Sequence, residues 1–197
     1  MPDVRKATMA DVDRLSTALA SAFDDDPVFE FLFPQKNRAK TYKAFFTQEL
    51  NKHYLKNDET WTTADVNGAA IWAPPGKWRQ SNLDTLKSVP AFVRILGRSL
   101  PRAFSALLEV EKAHPPGEHY YLAVLGTEAA AQGKGVGSSV LAPVLERCDR
   151  EGIGAYLESS KEKNIAFYNR HGFEVTRELP LLDGKGPSVW LMWREPR

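Results

Sequence analysis

Cysteine, charge bias and long apolar runs are all scarce in this chain, and each shortage removes a class of explanation. Cys148 is the single cysteine among 197 residues, which excludes an internal disulfide framework and a multi-cysteine metal site. It falls on the apolar stripe of a predicted helix, where a thiol serves as a small core filler. Lysine and arginine number 26 against 25 acidic residues, a net charge of +1, so nothing global attracts nucleic acid or an acidic membrane surface. The longest apolar runs fall far short of the roughly 20 residues that span a bilayer. Met1-Pro2-Asp3-Val4-Arg5-Lys6 lacks the apolar stretch of a signal peptide, and a cytoplasmic location is the expectation. The four histidines, His53, His114, His119 and His171, show no metal-ligand spacing, so no metal is expected.

What remains is the composition of an ordinary globular protein, 43% hydrophobic and 26% charged. The length suits a single domain over residues 1–197 with a substantial core. Strands and helices alternate along it. Val4 to Ala7 reads as a strand. Thr8 to Asp11 resembles a capping box that starts a helix burying Val12, Leu15, Leu19 and Phe23. Asp24-Asp25-Asp26-Pro27 breaks that helix, and Pro27 suits the first turn of the next. Another helix is predicted over Arg38 to Tyr54. Thr60–Ala64 and Gly68–Ala73 form a predicted hairpin with Asn67-Gly68 as its turn signal. Residues 80–112 read as helical, with new helices starting at Pro90 and Pro101. Strands are predicted near 119–125, 155–159, 173–179 and 187–193, with helices at 135–151 and 163–171. This order predicts an α/β (α+β) fold, a mixed and partly parallel sheet flanked by helices.

The segment that carries chemistry is Gln132-Gly133-Lys134-Gly135-Val136-Gly137, between the apolar run Tyr120–Leu125 and the amphipathic run Ser138–Arg150. Glycines spaced two apart let the main chain approach a ligand closely. The helix behind them offers unpaired N–H groups and a positive dipole end to a phosphate. The G-x-x-x-x-G-K-[ST] phosphate loop does not fit, because Gly135 follows Lys134. A dinucleotide fingerprint fits in its first half, with Glu158 as the acidic partner, but Ser138 stands where its third glycine belongs. A nucleotide- or NAD-binding enzyme is therefore one alternative.

The pattern Q/R-x-x-G-x-G/A after a strand resembles the pyrophosphate loop of the GNAT N-acetyltransferase superfamily. Ala155-Tyr156-Leu157-Glu158-Ser159-Ser160 and Asn164-Ile165-Ala166-Phe167-Tyr168-Asn169-Arg170-His171-Gly172-Phe173 extend the resemblance. Within the superfamily, the Leu-Glu-Ser strand end and the Phe-Tyr-Asn-Arg-His-Gly-Phe run are most similar to puromycin N-acetyltransferase-like members. The resemblance implies seven strands splayed between the fourth and fifth, an acetyl-CoA-binding core over about 119–175 and an acceptor-side half over about 1–118. It implies transfer from acetyl-CoA to a primary amine of a small molecule in a ternary complex. A non-catalytic CoA-binding module is a second alternative.

On this resemblance Gln132, Gly133, Lys134, Gly135, Val136, Gly137 and Ser138 would cradle the pyrophosphate, with Gln132 bracing the loop and Lys134 adding charge or pointing to solvent. Leu122, Ala123 and Val124 would pair with the pantetheine arm through their backbone. Tyr168 would act as general acid toward the CoA thiolate, since a phenol with a reference pKa of about 10 stays protonated at neutral pH. Asn164 is a candidate pantetheine contact or a helix N-cap. It lies four residues before Tyr168, whereas many members carry an asparagine seven before, where this chain has Lys161. Glu158 is the candidate general base, and His119 has the chemistry of a proton relay. His171 reads as a dipole partner at a helix C-terminus. The acceptor would meet Asp26, Phe29 and Trp72, with Phe23, Asp24, Asp25, Phe33 and Trp78 nearby. An acidic turn beside aromatics suits a cationic amine or simply caps a helix. Phe92, Val93, Ile95 and Leu96 could fold over the acceptor or form a dimer face, so a monomer and a homodimer are both open.

Overall fold

The capping box at the start of the chain fixes how the first strand turns into the first helix. In the computed structural model, which describes residues 2–34, 36–79 and 82–197, β1 (Val4–Lys6) leads into a short turn before α1 (Val12–Ala22). The Thr8 N–H donates to Asp11 Oδ2 at 2.7 Å, and the Arg5 guanidinium holds the same carboxylate at 2.7 and 2.8 Å. Asp26 then caps α2 (Pro27–Leu32), accepting from the N–H groups of Val28 and Phe29 at 3.0 Å each. Pro27 occupies the first helical position, where its missing N–H costs nothing. α3 (Arg38–Lys52) completes the first helical layer.

Seven strands form one sheet in the order β1-β2-β3-β4-β5-β7-β6. The remaining strands are β2 (Thr60–Thr63), β3 (Gly68–Ala73), β4 (Tyr120–Thr127), β5 (Ala155–Ser159), β6 (Glu174–Pro180) and β7 (Ser188–Arg194). Every neighbouring pair is antiparallel except β4 and β5. Those two are joined by the crossover helix α6 (Val136–Glu151), the connection a parallel pair requires. Their pairing stops early: Tyr120, Tyr121 and Leu122 meet Ala155, Tyr156 and Leu157, and nothing beyond. The sheet therefore opens between β4 and β5, and the rest of β4 has a free edge on that side.

A β-bulge sits at the same place. Trp72 pairs with Leu122 and Ile71 with Val124, leaving Ala123 as the extra residue on β4. The consequence is visible in the packing. Leu122 lies in the α6-side core with Trp72, Val140 and Leu141, whereas Val124 lies on the opposite face with Leu15, Leu19 and Phe46 of α1 and α3. Two residues that would share a face on a regular strand are thus sent to opposite faces. α5 (Leu100–Ala113) covers Tyr156, Leu181 and Leu191 through Ala106 and Val110. The short α7 (Ile165–Arg170) packs Tyr168 against the α6-side core.

Three details differ from expectation. α4 (Asn82–Leu96) runs through Pro90 instead of starting anew there; the helix turns at Gly97, with φ +51°. Pro90 leaves only the carbonyl of Leu86 unmatched, on a residue that is itself exposed. Pro101 does sit in the first turn of α5. The first two residues of the expected helical segment, Gln80 and Ser81, lie outside the described residues. The β2–β3 turn is built by Val66 in the left-handed region, at φ +52°, and not by the Asn-Gly pair. Gly68 is needed for another reason: a Cβ there would lie 2.7 Å from the Gly126 carbonyl and 2.8 Å from Val136 Cγ1. Of the suggested dimer-face residues, Phe92, Ile95 and Leu96 pack with Phe33 and Tyr42, leaving Val93 exposed. Among the described residues no helix is long and apolar enough to cross a membrane.

Candidate active site

The glycine loop is held by its own backbone chemistry. The Gln132 amide donates to the Thr127 carbonyl at 3.2 Å and ties the loop to the end of β4. Gly133 and Gly135 adopt φ +75° and +82°, in the left-handed region that strongly favours glycine. Gly137 faces the Phe167 ring, and a Cβ there would lie 3.3 Å from it. The first N–H groups of α6 lack intrahelical partners by the geometry of any helix start, and they open at this loop. Ser138 Oγ lies 3.0 Å from His171 Nε2, while the Lys134 side chain is exposed. His171 thus also serves the start of α6, beyond its expected place at the end of α7. Burial and the neighbouring Arg170 hold the His171 imidazole below its usual pKa.

The gap between β4 and β5 brings a second group together. Tyr168 packs on the α6 side with Leu157 and Phe173 and is 7% exposed. Burial raises its phenol pKa, and the Asp26 carboxylate adds to that effect. Asp26 starts α2, whose Phe29 packs on the opposite face of the sheet from Tyr168. The Tyr168 hydroxyl has no hydrogen-bond partner among the described residues. Asp26 is 1% exposed; besides capping α2 it accepts from Ser160 Oγ at the end of β5. Burial raises its carboxyl pKa as well.

Glu158 is the first β5 residue beyond the last β4 partner. Its Oε2 accepts from the Tyr121 hydroxyl at 2.8 Å, and its Oε1 lies 3.7 Å from His114 Nδ1. His114 in turn meets His119, Nε2 to Nε2, at 2.8 Å. The Trp78 indole stacks on His114 with centroids 3.7 Å apart. Burial pushes the Tyr121 phenol well above its usual pKa, and burial lowers the His119 imidazole.

The predicted site residues separate into those the fold gathers and those it does not. Gln132 to Ser138, Leu122 to Val124, Asp26, Glu158 and Tyr168 border the loop or the strand opening. Phe29 joins the aromatic cluster behind Asp26, with Phe23, Phe33 and Phe46 at 4.7, 4.9 and 5.6 Å. Trp72 lies elsewhere: at 1% exposure it is packed under α6, on the face away from Phe29. Asn164 precedes α7 without a side-chain capping bond. The other two aspartates of the acidic turn are paired, Asp24 with Arg38 at 3.0 Å and Asp25 with Lys161 and Lys163. His114, Tyr121 and Ser160 were not singled out from the sequence. No local motif marks them, and each gains its partner only through the fold. Among the described residues no cluster of three or more ligating side chains could hold a metal ion.

Comparison with known proteins gives a consistent answer. The acetyltransferase (GNAT) family model matches residues 93–173, a span that holds the glycine loop, Glu158 and Tyr168. An uncharacterized N-acetyltransferase of Schizosaccharomyces pombe is 26% identical over 209 residues, covering 98% of this chain and 83% of that protein. The crystal structure of a histone acetyltransferase HPA2 and related acetyltransferase from Corynebacterium glutamicum superposes with a TM-score of 0.76 at 27% identity, covering 100% of this chain and 97% of that one. A polyamine N-acetyltransferase of Drosophila melanogaster shares the fold, with a TM-score of 0.66 at 15% identity and 98% of each chain covered.

Proposed function

Since the chain belongs to the GNAT family of N-acetyltransferases, we propose that it transfers the acetyl group of acetyl-CoA directly to a primary amine of a small molecule, with both substrates bound together. One observation supports the reading: the left-handed glycine loop opens α6 directly after β4, a strand whose far half leaves an edge unpaired by β5, and Tyr168 packs in the core on the α6 side of that sheet. The residues present fit acetyl-CoA. Gly133 and Gly135 in left-handed conformations leave room for a pyrophosphate against the start of α6. Leu122, Ala123 and Val124 border the edge that β5 leaves unpaired, which suits an extended amide-bearing arm. When bound, acetyl-CoA supplies the activated acyl group.

The chain's own residues supply the rest. Gln132 holds the loop, and the N–H groups of Gly133 through Ser138 receive the phosphates. Lys134, exposed at the loop, adds charge at the rim, and Asn164 flanks the arm from the start of α7. The main-chain N–H of Val124 or Leu125, beyond the Ala123 bulge, would stabilise charge on the thioester oxygen. Tyr168, kept protonated by burial, donates to the leaving sulfur. Glu158 accepts the amine's proton. Asp26, whose carboxylate acts on Tyr168, meets the acceptor with Phe29 behind it, and a buried carboxylate beside aromatic rings favours a cationic amine.

The amine itself is proposed only as a class. The polyamine acetyltransferase of Drosophila and an arylalkylamine N-acetyltransferase of Aedes aegypti share the fold, and agmatine, 2-phenylethylamine and puromycin sample that range. Thermal unfolding with acetyl-CoA, NAD or ATP tests the donor. A ligand at about a hundred times its dissociation constant adds about 2.7 kcal/mol to stability. A rise in melting temperature with acetyl-CoA alone is expected; a rise with NAD or ATP alone would overturn the reading.

A further inference from the structure

His114 caps α5, and its side chain is 2% exposed. Its hydrogen bonds can be resolved atom by atom. His119 Nδ1 lies 3.1 Å from the Gly117 carbonyl oxygen. A carbonyl only accepts, so His119 carries a proton on Nδ1. In the neutral imidazole the other nitrogen, Nε2, then offers a lone pair. His114 Nε2, 2.8 Å away, must be the donor between them. That assignment leaves His114 Nδ1 bare in the neutral ring. What it faces is Glu158 Oε1 at 3.7 Å, beyond hydrogen-bond reach; that oxygen is buried and makes no hydrogen bond among the described residues, although the Tyr156 hydroxyl acts on the same carboxylate. The other carboxylate oxygen is already served by the Tyr121 hydroxyl at 2.8 Å. Two acceptors thus face each other where burial makes an unsatisfied group costly, and a proton arriving on either makes one of them a donor, which a small approach brings into hydrogen-bond distance of the other.

We propose that Glu158 and His114 act as a one-proton acceptor for the substrate amine, with His119 fixing the tautomer that keeps His114 Nδ1 bare. The proposal rests on the acetyl-transfer reading above and adds the route of the proton. On the acetyl-transfer reading Glu158 is the catalytic residue, the group that takes the amine's proton; His114 and His119 are positioning residues that act through it. The protons balance as follows. The ammonium group loses one proton to the pair. The freed nitrogen forms its bond to the thioester carbonyl carbon as the carbon–sulfur bond breaks. The second proton from nitrogen replaces the one that Tyr168 gives to the departing sulfur. The products are the amide, the thiol and one proton held by the pair.

A cavity of about 420 Å³ is lined by His114, Trp78, Arg79, Glu111 and Pro115, and the Trp78 indole stacked on the imidazole separates the ring from solvent. The groups that can influence the pair come from every surrounding element. They are Tyr121 of β4, Tyr156 of β5, His119 ahead of β4, Arg79 after β3, and Glu111 and Lys112 of the last turn of α5. Arg177 of β6 acts on Tyr156.

The test pairs kinetics with a measurement that needs no acceptor. With agmatine or 2-phenylethylamine as the probe amine, His114→Ala should lower kcat by about 10–100-fold, below the roughly 10²–10⁴ of a full acid–base group. KM for acetyl-CoA should stay unchanged. Added imidazole, entering through the cavity, should restore activity, while cyclopentanol, of similar size but no base, should not. Unchanged kcat, or equal restoration by both additives, overturns the proposal. If the wild type acetylates neither amine, the fault lies with the acetyl-transfer reading, and nitrogen-15 NMR of the histidines decides the pair by itself. His119 is expected as the Nδ1–H tautomer and His114 with its proton on Nε2. A His119 proton on Nε2, or a neutral His114 with its proton on Nδ1, overturns the proposal whatever the amine.

Discussion

Gly135 and Gly152 bracket helix α6 and permit a controlled test of the phosphate cradle. Both lie in the left-handed region, at φ +82° and +67°, and in both cases the space a Cβ would occupy is open. Alanine at either position therefore meets no clash and costs only the backbone penalty of about 1–2 kcal/mol. For a chain of this size each kcal/mol lowers the melting temperature by about 2–4 °C, so both variants should lose about 2–8 °C. Their effects on ligand affinity should differ. At Gly135 the strain is relieved by rotating the loop, which turns its N–H groups away from the pyrophosphate. If the full penalty is transferred to binding, the dissociation constant for CoA rises about 5–30-fold. Gly152 ends the same helix and touches no part of the proposed cradle, so its alanine variant should bind CoA like the wild type. Calorimetric titration of both variants, with melting curves alongside, reads the difference. Equal affinity loss in both, or a destabilised Gly135→Ala that binds normally, would refute the placement of the phosphates.

Other consequences follow from single residues. Tyr168→Phe removes one hydroxyl from a packed ring; kcat should fall by about 10²-fold while calorimetric affinity for acetyl-CoA stays near wild type. Unchanged kcat would remove Tyr168 from proton transfer. The Cys148 thiol is buried and pushed up to about 12, so a thiol-reactive dye at pH 8 should label it only as fast as the protein unfolds. Rapid labelling of the native state would contradict its place in the core. Asp11 and Asp149 have folded pKa values held below the usual carboxylate range by Arg5 and Arg194. A depressed acid stabilises the fold above its unfolded pKa of about 3.9 and loses that contribution as pH falls through the folded value. The melting temperature should thus decline below about pH 4, and Asp11→Asn should flatten that decline.

Local backbone chemistry was the part of this structure legible in the sequence. Left-handed glycines after a strand announce a loop that presents N–H groups, and α6 begins at Val136, within a residue of where the pattern placed it. Asp26 before Pro27 is likewise a local capping signal. The side to which Trp72 points was not legible, because β3 is buried on both faces and offers no alternation to read. The Ala123 bulge, which sends Val124 to the face opposite Leu122, leaves no mark in Tyr120–Thr127. The contact of His114 with Glu158 joins the end of α5 to the end of β5. Only the helix covering that face of the sheet creates it, so neither residue's neighbours foretold it. Pro90 failed as a breaker because the helix passes it on an exposed flank where water can take the orphaned carbonyl.

The most direct test is to incubate the wild-type protein with acetyl-CoA and, separately, agmatine, 2-phenylethylamine and puromycin, measuring free thiol and acetylated amine in the same sample. The account predicts that at least one amine gives thiol and acetyl-amine in equal amounts, both reduced together in Tyr168→Phe. Acetyl-CoA that binds while neither product forms with any amine would contradict catalysis by direct transfer to a small primary amine.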